Sequence, residues 1–403
     1  MSALTSEKLA QAAEIVAMSD VDVWLTFVRE TSDHADPILP FLMDGGLTWQ
    51  SALMVSKHKR RIAVVGNYDA DPLRASGDWD EVIPYVQGIG EPLLSALERL
   101  VPQDVVDPRI AVNFSESDDK SDGLTYGMYR LLDQYLAGTR FANALTSAEH
   151  ITRALRGRKT PTELARIRTA IAEGDALFEE IVAFVRIGET TERDVYHFTQ
   201  QGIAERELEH AWDPVGDPIV NSGPDSMIGH GIPSDRIVLS PGHIFHIDLG
   251  VQKEGYCSDI QRVWYIPASG ETSPPDDVTR ACAAVVGAIQ AGKDALRPGI
   301  SGWQVDAAAR SFLVAAGYQE YLHALGHQVG RQAHDGGGLL GPQWERYGDT
   351  PFLPVEAGQV YTLELGVIVP DRGYLGIEEM IVVTDSGCEW LSRPQTGVAL
   401  LKN

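Results

Sequence analysis

The chain has 403 residues, 44% of them hydrophobic and 22% charged, enough for two or three packed domains at ~150 residues each. Its formal net charge of −24 argues against nucleic acid and anionic membranes as partners, because phosphate recognition needs clustered lysine and arginine. Three dispersed cysteines (Cys257, Cys282, Cys388) read as reduced thiols, no apolar run is long enough to span a bilayer, and the opening residues show no signal-peptide pattern, so a cytoplasmic protein is expected.

In chain order, residues 4–18 predict a helix and 21–30 a first strand. The β-rich runs RIAVVGN (61–67) and RIAVNFS (109–115) alternate with helical patterns such as 91–100, which implies a smaller α/β domain over residues 1–153. No catalytic constellation stands out there. Asp33, His34 and Asp36 read as a solvated loop, and Trp24 and Trp49 as core or interface.

A second domain is expected over 154–403, opening on a basic hinge. Thr160 suits an N-cap, Pro161 the first helical position, and Glu163 completes a capping box ahead of a long amphipathic helix. RIGETT (186–191) introduces another helix over 191–208. Its counterpart RPGISGWQV (297–305), 111 residues later, precedes a helix over 303–316. Each half therefore reads helix, helix, β-hairpin, the pattern of an internal duplication.

The hairpins carry the chemistry. GHIFHIDLGV (242–251) returns as GQVYTLELGV (358–367), with Glu364 where the first copy has Asp248. A turn at Lys253-Glu254-Gly255 would set Asp248 opposite Asp259, with Cβ atoms about 5 Å apart. A turn centred on Asp371 would set Glu364 opposite Glu378 in the same way. Facing like charges are destabilising unless a cation lies between them. Two such pairs among Ile, Leu, Val and Phe read as a metal cage.

Histidines come in two stretches, NSGPDSMIGHGIPSDR (221–236) with His230, and YLHALGHQVGRQAHDGGG (321–338) with His323, His327 and His334. Gly326 and Gly330 would each cost about 1 kcal/mol inside a helix, so the second stretch is expected to be extended or looped. Three histidines within twelve residues belong with an active site, whereas His197, His210 and His243 read as structural.

These residues resemble the metal-dependent superfamily of prolidases, Xaa-Pro aminopeptidases and methionine aminopeptidases, over roughly residues 154–400. The resemblance implies an α+β pita-bread catalytic domain made of duplicated helix-hairpin halves, behind a creatinase/prolidase-like N-terminal domain. It implies Asp248, Asp259, His327, Glu364 and Glu378 as ligands of two divalent metal ions (Mn, Zn or Co). It further implies Glu364 as proton shuttle to and from a metal-activated water, and His230, His323 and His334 as groups contacting substrate or intermediate. The expected activity is that of an Xaa-Pro dipeptidase acting on a small peptide, with a homodimer as assembly. An aminopeptidase acting on longer peptides is the alternative. A metal-free amidine hydrolase and a catalytically silent binding module fit less well, since the five-ligand set is intact.

The chain departs from the family pattern at several positions. Leu365 stands where that pattern has proline, Ile368 where it often has tyrosine, and Gly376 where it often has arginine. Gln261-Arg262-Val263 stands for Thr-Arg-Thr. With Gly376 in the arginine position, Arg262 and Arg331 become candidates for holding a substrate carboxylate. Trp303 is read as core, and Glu379 as a solvated or supporting charge.

Overall fold

The computed structural model describes residues 2–229 and 231–402. Contacts divide the chain into two units, Met1–Arg156 and Gly157–Asn403.

The first unit is built on a six-stranded mixed sheet. Its strands are β1 (Val23–Val28), β2 (Ser51–Ser56), β3 (Arg61–Gly66), β4 (Glu81–Tyr85), β5 (Ile110–Val112) and β6 (Leu145–Ser147), in the order β4-β3-β2-β1-β5-β6. Helices α1 (Ala3–Met18), α2 (Ala70–Ser76), α3 (Gly90–Leu100), α4 (Tyr126–Leu136) and α5 (Glu149–Gly157) accompany it. Two hydrophobic clusters, one around Trp24 and Val55 and the other around Leu25 and Met54, cover its opposite faces. Asp36 is not the solvated residue expected from its loop. It is 2% exposed and accepts hydrogen bonds from Ile38 N (2.9 Å) and Asn113 Nδ2 (2.8 Å), while Asn113 Oδ1 accepts from Trp24 Nε1 (2.7 Å). Satisfied in this way, it ties a loop to the sheet.

The second unit opens on α6 (Pro161–Phe184), whose start shows the expected box: Thr160 Oγ1 accepts from Glu163 N, and a Glu163 carboxylate oxygen accepts from Thr160 N. Helix α7 (Glu192–Glu205) follows, capped by Thr191 and Asp194. The strands β7 (Glu209–His210), β8 (Ile219–Ser222), β9 (Ile244–Leu249), β10 (Val251–Lys253), β11 (Tyr256–Cys257) and β12 (Ile260–Tyr265) come next. After helices α8 (Asp276–Ala295) and α9 (Gly302–Ala315), the chain ends in β13 (Val360–Val369), β14 (Gly373–Val383), β15 (Cys388–Trp390) and β16 (Ala399–Leu400). The sheets are ordered β16-β12-β9-β8, β11-β10-β7 and β13-β14-β15. Strand β14 packs against β9 and β12, and α8 against β13 and β14, around a core including Val263, Val285, Leu313, Leu363 and Ile381.

The two hairpins answer the register expectation differently. Glu364 pairs with Glu378, as a turn centred on residue 371 demands. Asp248 does not pair with Asp259; it pairs with Gln261. The reason lies in the turn, where Lys253 pairs with Tyr256 and Glu254 and Gly255 adopt φ of 50° and 75°. That is a two-residue hairpin loop with both central residues left-handed, centred one residue later than expected. The partner moves by two positions, and a shift of two keeps a side chain on its face. Asp259 therefore shares Asp248's face, diagonally rather than directly.

Residues 321–338 are looped, as their glycines imply, and run alongside β13. Thr362 N donates to His327 O (3.0 Å), and Glu364 N donates to Leu325 O (2.7 Å). Gly326 makes this approach possible, since a Cβ there would lie 1.9 Å from Thr362 O. Gly326→Ala should therefore destabilise the protein by about 1–3 kcal/mol, as forced overpacking does. Gly387→Ala, at a site where a Cβ meets nothing within 4 Å, should stay within about 0.5 kcal/mol of the parent. Denaturant titration of both variants checks the contrast.

Candidate metal centre

The packed hairpins place acidic side chains from four chain segments in one buried space. Asp259, just before β12, Glu378 on β14 and His327 from the loop beside β13 offer donor atoms that lie within 4.8 Å of one another. His327 Nε2 is 3.6 Å from Asp259 Oδ2, 3.7 Å from Glu364 Oε1 and 4.0 Å from Glu378 Oε1. Asp248, on β9, falls outside that tight trio but is close enough for Glu364 to act on it and for it to act on Asp259. Of the expected catalytic histidines, His334 stacks edge-to-face on His327 with ring centroids 4.2 Å apart, and His323 stands beside Tyr321 at 5.2 Å. His230 lies outside the described residues.

Electrostatics mark this space as strained without a cation. Burial pushes the carboxyls of Asp248, Asp259 and Glu378 well above the usual range, and repulsion from one another and Glu364 pushes them further. Asp248 Oδ1 and both Glu378 carboxylate oxygens are buried with no hydrogen-bond partner among the described residues. Orphaned oxygens of this kind are rare in native proteins and call for an explanation. A divalent cation supplies one, because four carboxylates and one imidazole are a donor set suited to hard or borderline ions.

His327 is prepared for such a role. Its Nδ1–H donates to Ala333 O (3.0 Å), which leaves the lone pair on Nε2, aimed at the carboxylates. Burial pulls its pKa down to about 3, so the ring is neutral. The loop that carries it is held at both ends by buried charge. Asp306 on α9 binds Arg310 (2.8 Å) and accepts from Leu325 N (3.2 Å) and Tyr321 Oη (3.0 Å). Lys159 and Asp335, both buried, pair at 3.1 Å on the far side.

Several residues that sequence reasoning passed over belong to the site. His246 lies at the bottom, its Nε2 3.0 Å from Gln261 Oε1 and its Nδ1 3.2 Å from Asn221 Oδ1. Gln261 Nε2 in turn donates to Glu364 Oε2 (3.1 Å), so a chain of hydrogen bonds runs from the core to Glu364. Tyr374, on β14, packs edge-to-face on His246 with centroids 4.9 Å apart. One signal was present in the sequence: the midpoint that pairs Glu364 with Glu378 also pairs Gly366 with Gly376, leaving a gap for a large neighbour. Glu192 was also missed. Its buried carboxylate accepts from Ser222 N (2.8 Å), Ser226 Oγ (2.6 Å) and Ser234 N (3.1 Å), clipping together two ends of a loop.

Two expectations need correction. Arg262 is already engaged: Nη1 binds Glu379 Oε1 (3.0 Å) and Glu378 O (3.1 Å), and Nη2 binds Arg393 O (3.0 Å). It therefore has no fork to offer a substrate carboxylate. Of the two readings of Glu379, solvated or supporting, only the second holds: it is 1% exposed and also accepts from Gln395 N (2.6 Å). Together they form a buried pair that braces β14 against β12.

The sequence pattern of metallopeptidase family M24 matches residues 165–385. The uncharacterized peptidase YqhT of Bacillus subtilis is 30% identical over 275 residues, covering 66% of this chain and 70% of its own length. Among solved structures, dipeptidase PepE from Mycobacterium ulcerans superposes with a TM-score of 0.72 at 25% identity, over 99% of this chain and 98% of its own. An Xaa-Pro dipeptidase from Bacillus anthracis gives 0.69 at 23% identity, over 98% and 99%. An X-Pro aminopeptidase from Thermotoga maritima gives 0.66 at 24%, also over 98% and 99%. The last two likenesses bear on the fold alone.

The crowded carboxylates predict a stability trade-off. A carboxyl whose folded pKa is raised gives its full share of stability below the unfolded value, ~4.3 for glutamate, and loses it as pH climbs through the folded value. In chelator-treated protein, stability should therefore fall as pH rises above the ordinary carboxylate range. Glu378→Gln removes one charge and should flatten that fall, raising the unfolding midpoint of the chelated protein near neutral pH. The same variant should bind divalent ions more weakly. Urea titrations across pH, with and without chelator, check both signs.

Proposed function

The chain belongs to metallopeptidase family M24 and has its α+β pita-bread fold, and on that premise we propose that it is a dinuclear metal-dependent exopeptidase that hydrolyses the bond before proline, as an Xaa-Pro dipeptidase. The observation that carries this reading is the convergence of Asp259, His327 and Glu378, with Glu364 and Asp248 beside them, on one buried spot with orphaned oxygens. Asp248, Asp259, His327, Glu364 and Glu378 are the proposed ligands of a pair of Mn²⁺, Zn²⁺ or Co²⁺ ions. When bound, such ions polarise a carbonyl and lower the pKa of water at neutral pH.

The protein's own groups complete the reaction. Glu364 is the most exposed of the carboxylates near His327, at 21%, so it can exchange protons with water and substrate where Glu378 cannot. Its oxygen Oε2 accepts a hydrogen bond from Gln261, and Oε1, on the His327 side, is proposed to take the proton from the attacking water and pass it to the departing nitrogen. His323 and His334, with His230, are proposed to orient the scissile carbonyl. A bond to proline has no N–H for a peptidase to hold, so recognition must act through the carbonyl and the two ends of the substrate. The acidic space suits a free α-amine. With Arg262 engaged by Glu379, the donor for the far carboxylate is proposed to come from a second copy of the chain in a homodimer.

Three outcomes follow. Chelation should abolish activity and Mn²⁺, Zn²⁺ or Co²⁺ should restore it; an active preparation shown by elemental analysis to hold no metal would end the metallopeptidase mechanism proposed above. Glu364→Gln should lower kcat by ~10²–10⁴ with metal content retained, the range expected for a lost proton shuttle. Xaa-Pro dipeptides should show higher kcat/KM than matching Xaa-Pro-Xaa tripeptides, and equal or faster cleavage of the tripeptides would turn the reading to an aminopeptidase.

A further inference from the structure

Two glycines face each other next to the carboxylates. Gly366 on β13 and Gly376 on β14 are register partners, one pair along from Leu365 and Ile377 and two from Glu364 and Glu378. Side chains two apart on a strand share a face, so the glycines leave a bare strip beside the two glutamates. The ring of Tyr374 lies on that strip. A Cβ on Gly366 would come within 2.4 Å of the Tyr374 Cζ and hydroxyl oxygen, and one on Gly376 within 2.5 Å of its Cε1. Neither glycine has a positive φ, so backbone conformation does not explain either of them. Their common physical consequence is room for this one ring.

The ring is also aimed. Edge-to-face contact with His246 holds it from below, at 4.9 Å and 86°. Its hydroxyl reaches over Gly366 to where Glu364, Asp248 and Glu378 are its electrostatic neighbours. No hydrogen bond to the hydroxyl is found among the described residues, although the tyrosine is mostly buried. A phenol so placed is protonated at neutral pH and offers one O–H donor without adding charge to a site that is already crowded with charge.

We propose that the Tyr374 hydroxyl is a catalytic donor, making a hydrogen bond to the carbonyl oxygen of the bond under attack as negative charge gathers there. The phenol keeps its proton throughout; its contribution is a preorganised dipole at the edge of a water-poor site. This rests on the peptidase reading above and adds a neutral oxyanion donor to the histidines proposed there to orient the carbonyl.

Tyr374→Phe keeps the ring, its seat on the glycines and its contact with His246, and deletes only the donor. Its kcat should fall by about 10²-fold, as for loss of one oxyanion donor, while KM and bound metal stay at parental levels. Gly366→Ala, which pushes the ring off its seat, should lower kcat too. The double variant Gly366→Ala/Tyr374→Phe should be no worse than the poorer single one, because both remove the same contact. A Tyr374→Phe enzyme with parental kcat would overturn the proposal. So would a loss confined to KM for dipeptides, which would place the hydroxyl on the terminal carboxylate. The ratio is measured on the best substrate from a panel of proline and non-proline peptides. A parental preference for non-proline peptides would sink the Xaa-Pro reading yet leave this ratio decisive, and cleavage of no peptide at all would overturn both.

Discussion

The arrangement depends on holding four carboxylates together in a place with little water. Removing a carboxylate from solvent is unfavourable, and bringing a second within a few ångströms adds repulsion in a medium that screens it poorly. The fold has to supply that energy from elsewhere until a cation arrives. It does so with strand ladders, which fix Glu364 and Glu378 through backbone bonds that their own charges cannot disturb. It also spends buried ion pairs outside the cage: Arg262 with Glu379 under β14, Asp306 with Arg310 and Lys159 with Asp335 at the two ends of the histidine loop. Buried pairs are weak contributors to stability when compared with apolar packing. Here they fix orientation, which a metal centre needs more than it needs net stability.

The same logic explains how a looped segment can place a histidine accurately. Loops are usually the least determined part of a structure. Residues 325–329 escape that rule because their backbone bonds to β13 and because Gly326 lets them come within contact of Thr362. His327 then inherits the precision of a strand, and the carbonyl of Ala333 sets its tautomer.

Much of this could be read from the sequence because hairpins obey a simple arithmetic. The repeated phrase at 242–251 and 358–367 marked the strands, and the turn at Asp371 paired Glu364 with Glu378 correctly. The first hairpin was misjudged by one turn residue, because a non-glycine residue, Glu254, accepts a left-handed conformation there. The error left Asp248 and Asp259 on one face, so the clustering of carboxylates survived it. Local periodicity could not show which side chains meet across packed strands. His246, Gln261 and Asn221 come from three strands of one sheet, and Tyr374 from another. In the first unit, Asp36 looked exposed because its partners, Asn113 and Trp24, are distant in sequence.

The departures from the family pattern are also not independent of one another. A Cβ at position 376 would meet Tyr374 at 2.5 Å, Gln261 Oε1 at 2.8 Å and His246 Nε2 at 2.9 Å, all at once. An arginine cannot be placed at position 376 without moving all three. Displacing Gln261 would release Glu364 from the hydrogen bond that orients it. Glycine at 376 and glutamine at 261 therefore behave as one structural alternative, seated against Tyr374, rather than as two independent substitutions. Residues in shared contact do not contribute additively, so restoring arginine alone should damage the site rather than return it to the commoner form. The trio of Gly376, Gln261 and Tyr374 fixes the surroundings of Glu364, while the carboxylates of Asp248, Asp259 and Glu378 stand beside it.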